Sequence, residues 1–368
     1  MNLLGAAPLT SFSPPDDRTA PGPPEERGLA RDEVRLLVAA APGTVSHARF
    51  RDLPAHLEPG DVVVVNNSAT LAAELDAELV GRGPVVVHLA SRLDDGTDVV
   101  ELRSAPDAAR PVLDAAAGDR VALQAGAALD LLEAYPRPGS SPTGNGTRLW
   151  RARYTGARPL SQHLLRYGRP IAYGYLDRPY PLTAYQTVFS HRPGSAEMPS
   201  AGRPFTAEVV ARLVARGVTV ATVTLHTGVS SQEAGEAPQP EWFEVSATTA
   251  GAVNAARAAG RRVVAVGTTV TRALESAVNP GEVRAAVRAA SGWTERVVSR
   301  EDPARVVTGL VTGWHDPDAS HLLLVEAVAG TALTQQAYDE ASRHGYLWHE
   351  FGDSALLLPD FARGPERT

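Results

Sequence analysis

The chain has 368 residues, 43% hydrophobic and 21% charged, with a formal net charge of −7; this suits a globular protein with room for two domains and argues against a strongly basic nucleic-acid footprint. It contains no cysteine and all 35 of its basic residues are arginine, which excludes thiolate nucleophiles, disulfides, cysteine-bound metals, Schiff bases and a phosphate-loop lysine. No apolar stretch is long enough for a membrane span and the N-terminus has no basic leader, so the expectation is a cytoplasmic protein without membrane contact.

Residues 12–28 are proline-rich and read as an irregular surface arm. Strands are expected over 34–40 and near Val45–Phe50, and the turn Pro59-Gly60-Asp61 leads into the apolar strand Val62–Val65. That strand ends abruptly in Asn66, Asn67 and Ser68, which either line a cleft or simply make a turn. From 72 to 155 short apolar runs recur, with turn signals such as Asp95-Gly96 and Gly118-Asp119 between them, the spacing of a small antiparallel β-barrel. Its loop 136–147 reads as a hairpin tip. After 156 the pattern alternates between helix and strand. Thr206 caps a helix closed by Gly217, 218–226 is a strand, a helix covers about 247–259, and 262–267 is a strand handing over to a helix at Thr268 or Thr269. A strand over 306–314, a helix capped by Ser320, another from Thr334 to about His344, and the run 355–358 complete the chain. The fold class is therefore α/β: a mixed-sheet main domain (1–71 and 156–368) with an inserted small antiparallel β-barrel domain (72–155).

Candidate site residues sit at strand ends, where open α/β sheets bind ligands. His226 ends one strand, Thr268 and Thr269 another, and His315 a third. The helix opening at Thr268 and Thr269 offers free N–H groups to an anion. Arg272 and Glu275 lie three apart behind it, the spacing of an ordinary surface ion pair. Gln186 and Thr187, together with Ser200, form a further possible wall, and Asp353 is a carboxylate for a sugar hydroxyl or a cation, or else a turn residue. The run His315-Asp316-Pro317-Asp318-Ala319-Ser320-His321 matches no metal site.

Taken in order, LPAHLEPGDVVVVNNS, YQTVFS, PGSAEMPSAGRPFT, GVTVATVTLHTG, AVGTTVTRALESA, GLVTGWHDPDASHLLLVEAVAG and YLWHEFGDSALLL resemble the S-adenosylmethionine:tRNA ribosyltransferase-isomerase family of queuosine biosynthesis. The resemblance runs from about 30 to 360. It implies an enzyme that spends S-adenosylmethionine as a ribosyl donor, without metal or redox cofactor. A base removes the proton beside the sulfonium, adenine departs, the amine of 7-aminomethyl-7-deazaguanine in tRNA attacks, and the epoxide closes as methionine leaves. It further implies site roles for Asn66, Gln186, His226, Thr268, Thr269, Arg272, Glu275, His315 and Asp353. The methionine carboxylate is expected at the Thr268/Thr269 helix entrance with Arg272 as counter-charge, and His226 or His315 is expected to be the base or acid.

The chain also departs from the family pattern. Where NDTRV and PARL are usual it has Asn67-Ser68-Ala69-Thr70 and Ala72-Ala73-Glu74-Leu75, and AGLHF becomes Ala201-Gly202-Arg203-Pro204-Phe205. HVGLGTF becomes His226-Thr227-Gly228-Val229-Ser230-Ser231-Gln232, and MHSE becomes Pro238-Gln239-Pro240-Glu241. The lysine of NFHLPKS gives way to Asp318, and a late arginine to Leu347. Fewer basic positions predict weaker phosphate contact. They raise, as alternatives to tRNA, a small-molecule acceptor, rearrangement of S-adenosylmethionine itself, or an inert S-adenosylmethionine-binding protein.

Overall fold

A computed structural model of the chain describes residues 7–13, 18–139, 146–229, 238–279, 286–317 and 320–361, the side chain of Ser320 excepted. The tip of the 136–147 hairpin, Asp318, and the capping role of Ser320 lie outside the described residues. The N-terminal part supplies β1 (Arg35–Ala40), β2 (Thr44–Arg49), β3 (Val62–Asn66) and β4 (Ser68–Thr70). There follow β5 (Glu74–Leu79), β6 (Gly83–Arg92), β7 (Asp98–Ser104), β8 (Arg120–Ala122), β9 (Ala128–Ala134) and β10 (Leu149–Thr155). Next come α1 (Leu160–Tyr167), β11 (Arg192–Ser195), α2 (Ala207–Ala215), β12 (Thr219–Leu225), β13 (Glu241–Val245) and α3 (Ala247–Ala258). The last part contributes β14 (Val263–Val266), α4 (Thr268–Ser276), β15 (Ala290–Thr294), β16 (Gly309–Thr312), α5 (Ser320–Ala329), α6 (Thr331–Arg343) and β17 (Ser354–Leu358).

Among the described residues, nine strands form one sheet in the order β15-β13-β12-β3-β14-β16-β17-β1-β2. The run Val62–Val65 becomes its centre because every residue in it is buried, as a strand covered on both faces requires. The side chains alternate with period two: Val62 and Val64 join the core under α3, α4, α5 and α6, whereas Val63 and Val65 join the core formed with Phe50, Leu53, Phe205 and α2. The sheet is mixed. β12, β3, β14 and β16 run parallel, so their carboxyl ends share one edge. β13 and β17 run antiparallel to that set, so they bring their amino ends to the same edge.

β10, β7, β6, β5, β8 and β9 close into a barrel through antiparallel pairs alone. Its buried end carries charge. Glu101 is ion-paired with Arg103 at 2.7 Å and Arg148 at 3.2 Å, and His88 stands beside it. Burial opposes ionisation of Glu101, but the His88 hydrogen bond and the two guanidinium groups hold its pKa down at about 2. Among the described residues no helix is long and apolar enough to cross a membrane.

Helix starts differ from expectation at two places, for local reasons. α4 is entered through Gly267, whose positive φ of +91 favours glycine, so Thr268 and Thr269 are its first helical residues and not hydroxyl caps. α6 begins at Thr331, three residues early. Thr334 bonds its hydroxyl back to the carbonyl of Gly330 at 2.8 Å instead of capping. The cap at Thr206 is present, accepting the Val209 N–H at 3.2 Å.

Candidate active site

A cavity of about 710 Å³ opens between the sheet edge described above and the barrel, within the roughly 300–1,000 Å³ typical of small-ligand sites. The parallel strands contribute Thr227 and Gly228 after β12, Gly267 to Thr269 after β14, and Thr312 to Asp316 after β16. The antiparallel strands contribute Glu241 at the start of β13, and His349 and Glu350 ahead of β17. His88 and Arg103 close it from the barrel, and Tyr173, Tyr175, Glu197 and Ser200 from the segments flanking β11.

Five of the expected residues meet here: Ser200, Thr268, Thr269, Arg272 and His315. Thr268 and Thr269 occupy the first turn of α4, so the unpaired N–H groups of that turn and the positive helix end face the cavity. Arg272 is not paired with Glu275. Its guanidinium is buried, ion-paired with Glu241, and bonded to the carbonyls of Gln239 at 3.1 Å, Thr294 at 3.2 Å and Arg296 at 3.2 Å. It therefore clamps the segments around the cavity while still contributing to its wall.

His315 packs its ring on His321 at 5.0 Å between centroids, places Nε2 3.0 Å from the Thr312 hydroxyl, and donates its backbone N–H to the Tyr338 hydroxyl at 3.2 Å. Burial, reinforced by the neighbouring imidazoles of His321 and His349, pushes its pKa well below the usual histidine value. Its imidazole is thus neutral and positioned.

The remaining expected residues lie outside the cavity lining, and each has an identifiable structural partner. Asn66 is saturated by the backbone: its amide donates to the Leu225 carbonyl at 2.8 Å and its oxygen accepts from the N–H groups of Leu225 and Ser68. It reaches Thr269 Oγ1 only at 3.4 Å. Gln186 pairs with the backbone of Thr70 in both directions, at 3.1 and 2.8 Å, and Thr187 builds a turn with Phe189 and Ser190. His226 is held by Ser68 Oγ at 2.7 Å and stacks on Trp242 at 5.3 Å; burial first, and Arg192 second, lower its pKa to about 4. Asp353 accepts the Arg35 N–H and Nε at 2.7 and 2.9 Å and the Leu347 N–H at 2.8 Å.

Glu275 is fully buried and accepts three backbone N–H groups, from Arg305 at 2.9 Å, Val306 at 2.8 Å and Val307 at 3.0 Å. Leaving such donors unpaired costs about 1–3 kcal/mol each. Glu275→Ala is therefore expected to lower unfolding free energy by about 3 kcal/mol or more in urea titration, and Glu275→Gln, which keeps an acceptor oxygen, by less.

The sequence did not point to three groups. Glu350 is half-buried, and its Oε2, itself shielded from solvent, has no hydrogen-bond partner among the described residues. Burial, with the negative charge of Glu197 adding to it, pushes its pKa up to about 8. Tyr173, Tyr175 and His349 form a three-ring stack, with centroids 5.9 and 4.9 Å apart. His349 holds a left-handed backbone at φ +67, a conformation that is uncommon outside glycine and clusters at functional sites. Glu197 accepts the Tyr173 hydroxyl. A signal for the stack was available in the aromatic residues of Tyr173-Gly174-Tyr175, but nothing in that spacing tied them to His349.

Among the described residues, the positions that are basic in the family pattern but not in this chain are buried or half-buried. Glu74 is buried and ion-paired with Arg169 at 2.6 Å and His88 at 2.9 Å. Ala69 and Leu347 are half-buried, and Gln239 is hydrogen-bonded to the Val229 carbonyl at 3.1 Å. Glu74 and Gln239 serve contacts within the protein, and the expectation of weakened tRNA contact has no support in the structure.

Comparison with known proteins completes the picture. The family model described as "Queuosine biosynthesis protein" matches residues 10–357. A protein of Symbiobacterium thermophilum named S-adenosylmethionine:tRNA ribosyltransferase-isomerase is 36% identical over 343 residues, covering 89% of this chain and 94% of that protein. A protein of the same name from Acidithiobacillus ferrooxidans is 36% identical over 365 residues, covering 95% and 97%. The crystal structure of S-adenosylmethionine tRNA ribosyltransferase from Thermotoga maritima is similar at 26% identity and a TM-score of 0.51, covering 95% of this chain and 99% of that one.

Proposed function

The chain belongs to the queuosine biosynthesis protein family and is an enzyme of its transferase–isomerase class, and from that premise we propose that it transfers and isomerises the ribosyl part of S-adenosylmethionine onto 7-aminomethyl-7-deazaguanine in tRNA. The observation that carries this reading is one cavity holding a helix N-terminus, an aromatic stack and several carboxyl groups. S-adenosylmethionine needs all three: a partner for its carboxylate, a platform for adenine, and negative charge near a sulfonium.

In this reading the methionine carboxylate docks on the first turn of α4, against the N–H groups and hydroxyls of Thr268 and Thr269. Arg272 adds positive potential, but its hydrogen bonds are already committed to Glu241 and three carbonyls. Adenine lies against the stack of Tyr173, Tyr175 and His349. His315, neutral and fixed by Thr312 and Tyr338, takes the proton from the carbon beside the sulfonium. Glu350, which keeps its proton to about pH 8, hands it to adenine as the glycosidic bond breaks. The tRNA amine then attacks, and ring closure to the epoxide expels methionine.

Incubation with S-adenosylmethionine and substrate tRNA, with quantification of adenine and methionine, tests the proposal. Release of both products in equal amounts, dependent on the tRNA, is expected. Adenine release at the same rate without tRNA would replace the tRNA acceptor with S-adenosylmethionine breakdown or a small-molecule acceptor.

A further inference from the structure

Away from the cavity, His47 on β2 and Glu340 and His344 at the end of α6 converge at the protein surface. One ligand atom from each lies within 4.8 Å of the other two. His47 Nε2 is 3.5 Å from Glu340 Oε1, and His344 Nδ1 is 3.1 Å from the same oxygen. The two imidazole rings are 4.4 Å apart. The Tyr346 hydroxyl holds His47 Nδ1 at 2.8 Å, which aims Nε2 at the carboxylate; an outer hydrogen bond of this kind is what orients metal-binding imidazoles. Hydrogen bonding alone leaves the cluster crowded, because one carboxylate oxygen faces two ring nitrogens while Arg343 already engages the other oxygen.

We propose that His47, Glu340 and His344 bind a late first-row divalent cation, with Zn²⁺ as the representative ion. Two nitrogens and one oxygen suit a borderline-soft ion, whereas Mg²⁺ and Ca²⁺ require oxygen ligands. A four-coordinate ion would take these three atoms as ligands and, on the exposed side of the two histidines, a water as the fourth. His344 Nδ1 also lies 3.1 Å from the Glu340 carbonyl, so binding exchanges the proton of that contact for the metal. The ion would pin β2, the last strand of the sheet, to the carboxyl end of α6. None of the three residues lines the cavity, so the site stands independently of the proposed reaction.

Chelator-stripped full-length protein, dialysed against ZnCl2, is expected to take up one equivalent of zinc. His47→Ala and His344→Ala should each weaken the dissociation constant by at least about tenfold, and the double substitution should abolish uptake. Co²⁺ in place of zinc should give the intense visible bands of a low-coordinate centre in the wild type and lose them in both variants. Adenine release should be unchanged, and the exposed positions keep the variants folded, as circular dichroism would verify. Absence of stoichiometric zinc in the wild type overturns the proposal. So does undiminished uptake by the double variant, which would move the metal to other ligands such as the cavity histidines.

Discussion

His315→Ala is expected to slow tRNA-dependent adenine release by about 10²–10⁴-fold, the usual contribution of a positioned general base, with S-adenosylmethionine affinity held within a few-fold. The ring is neutral because burial and the neighbouring His321 and His349 push its pKa well below the ordinary histidine value. No loss of rate from its protonation should therefore appear in the neutral range. His226→Ala is the matched control. That ring is half-buried and also uncharged near neutrality, but it packs on Trp242 and Ser68 outside the cavity. Its removal should lower the melting temperature and leave the rate within the same order of magnitude. Equal losses of rate in the two variants, or near wild-type turnover in His315→Ala, would strip His315 of its role.

The strand periodicity and the change of texture between 72 and 155 were sufficient to read the mixed sheet and the barrel, since alternation and turn chemistry are local properties. Four residues of the cavity lining, Thr268, Thr269, Arg272 and His315, were legible because they follow the carboxyl ends of parallel strands, where ligands of open sheets bind. That rule also hid the others. Glu241 opens, and His349 and Glu350 precede, strands that run antiparallel to the central set, so the same edge receives their amino ends, and strand direction is a property of the whole sheet that no local pattern encodes. The expected polar residues that lie outside the lining share another cause. Asn66, Gln186, Glu275 and Asp353 satisfy buried backbone groups, and a polar side chain doing so has the same residue type and position as one facing a ligand.

Glu350→Gln is expected to reduce kcat by about 10²-fold or more, as removal of a general acid does, and to remove the alkaline limb of the pH–rate profile. Burial raises the Glu350 carboxyl first and the nearby Glu197 charge raises it further, to about 8. The direction follows from the raised value: the proton that departing adenine requires is present below about pH 8 and is lost above it. The wild-type rate should therefore hold through neutrality and fall as pH rises past that value. Glu197→Gln supplies the discriminating measurement. Without its charge Glu350 ionises more readily, so the alkaline limb should move to lower pH, by roughly one unit, even though Glu350 itself is intact. Both variants also alter the cavity wall, and substrate affinity measured alongside separates that effect from the chemistry. An alkaline limb that persists unchanged in Glu350→Gln would assign the proton to another group, and an unmoved limb in Glu197→Gln would break the electrostatic link between the two carboxyls.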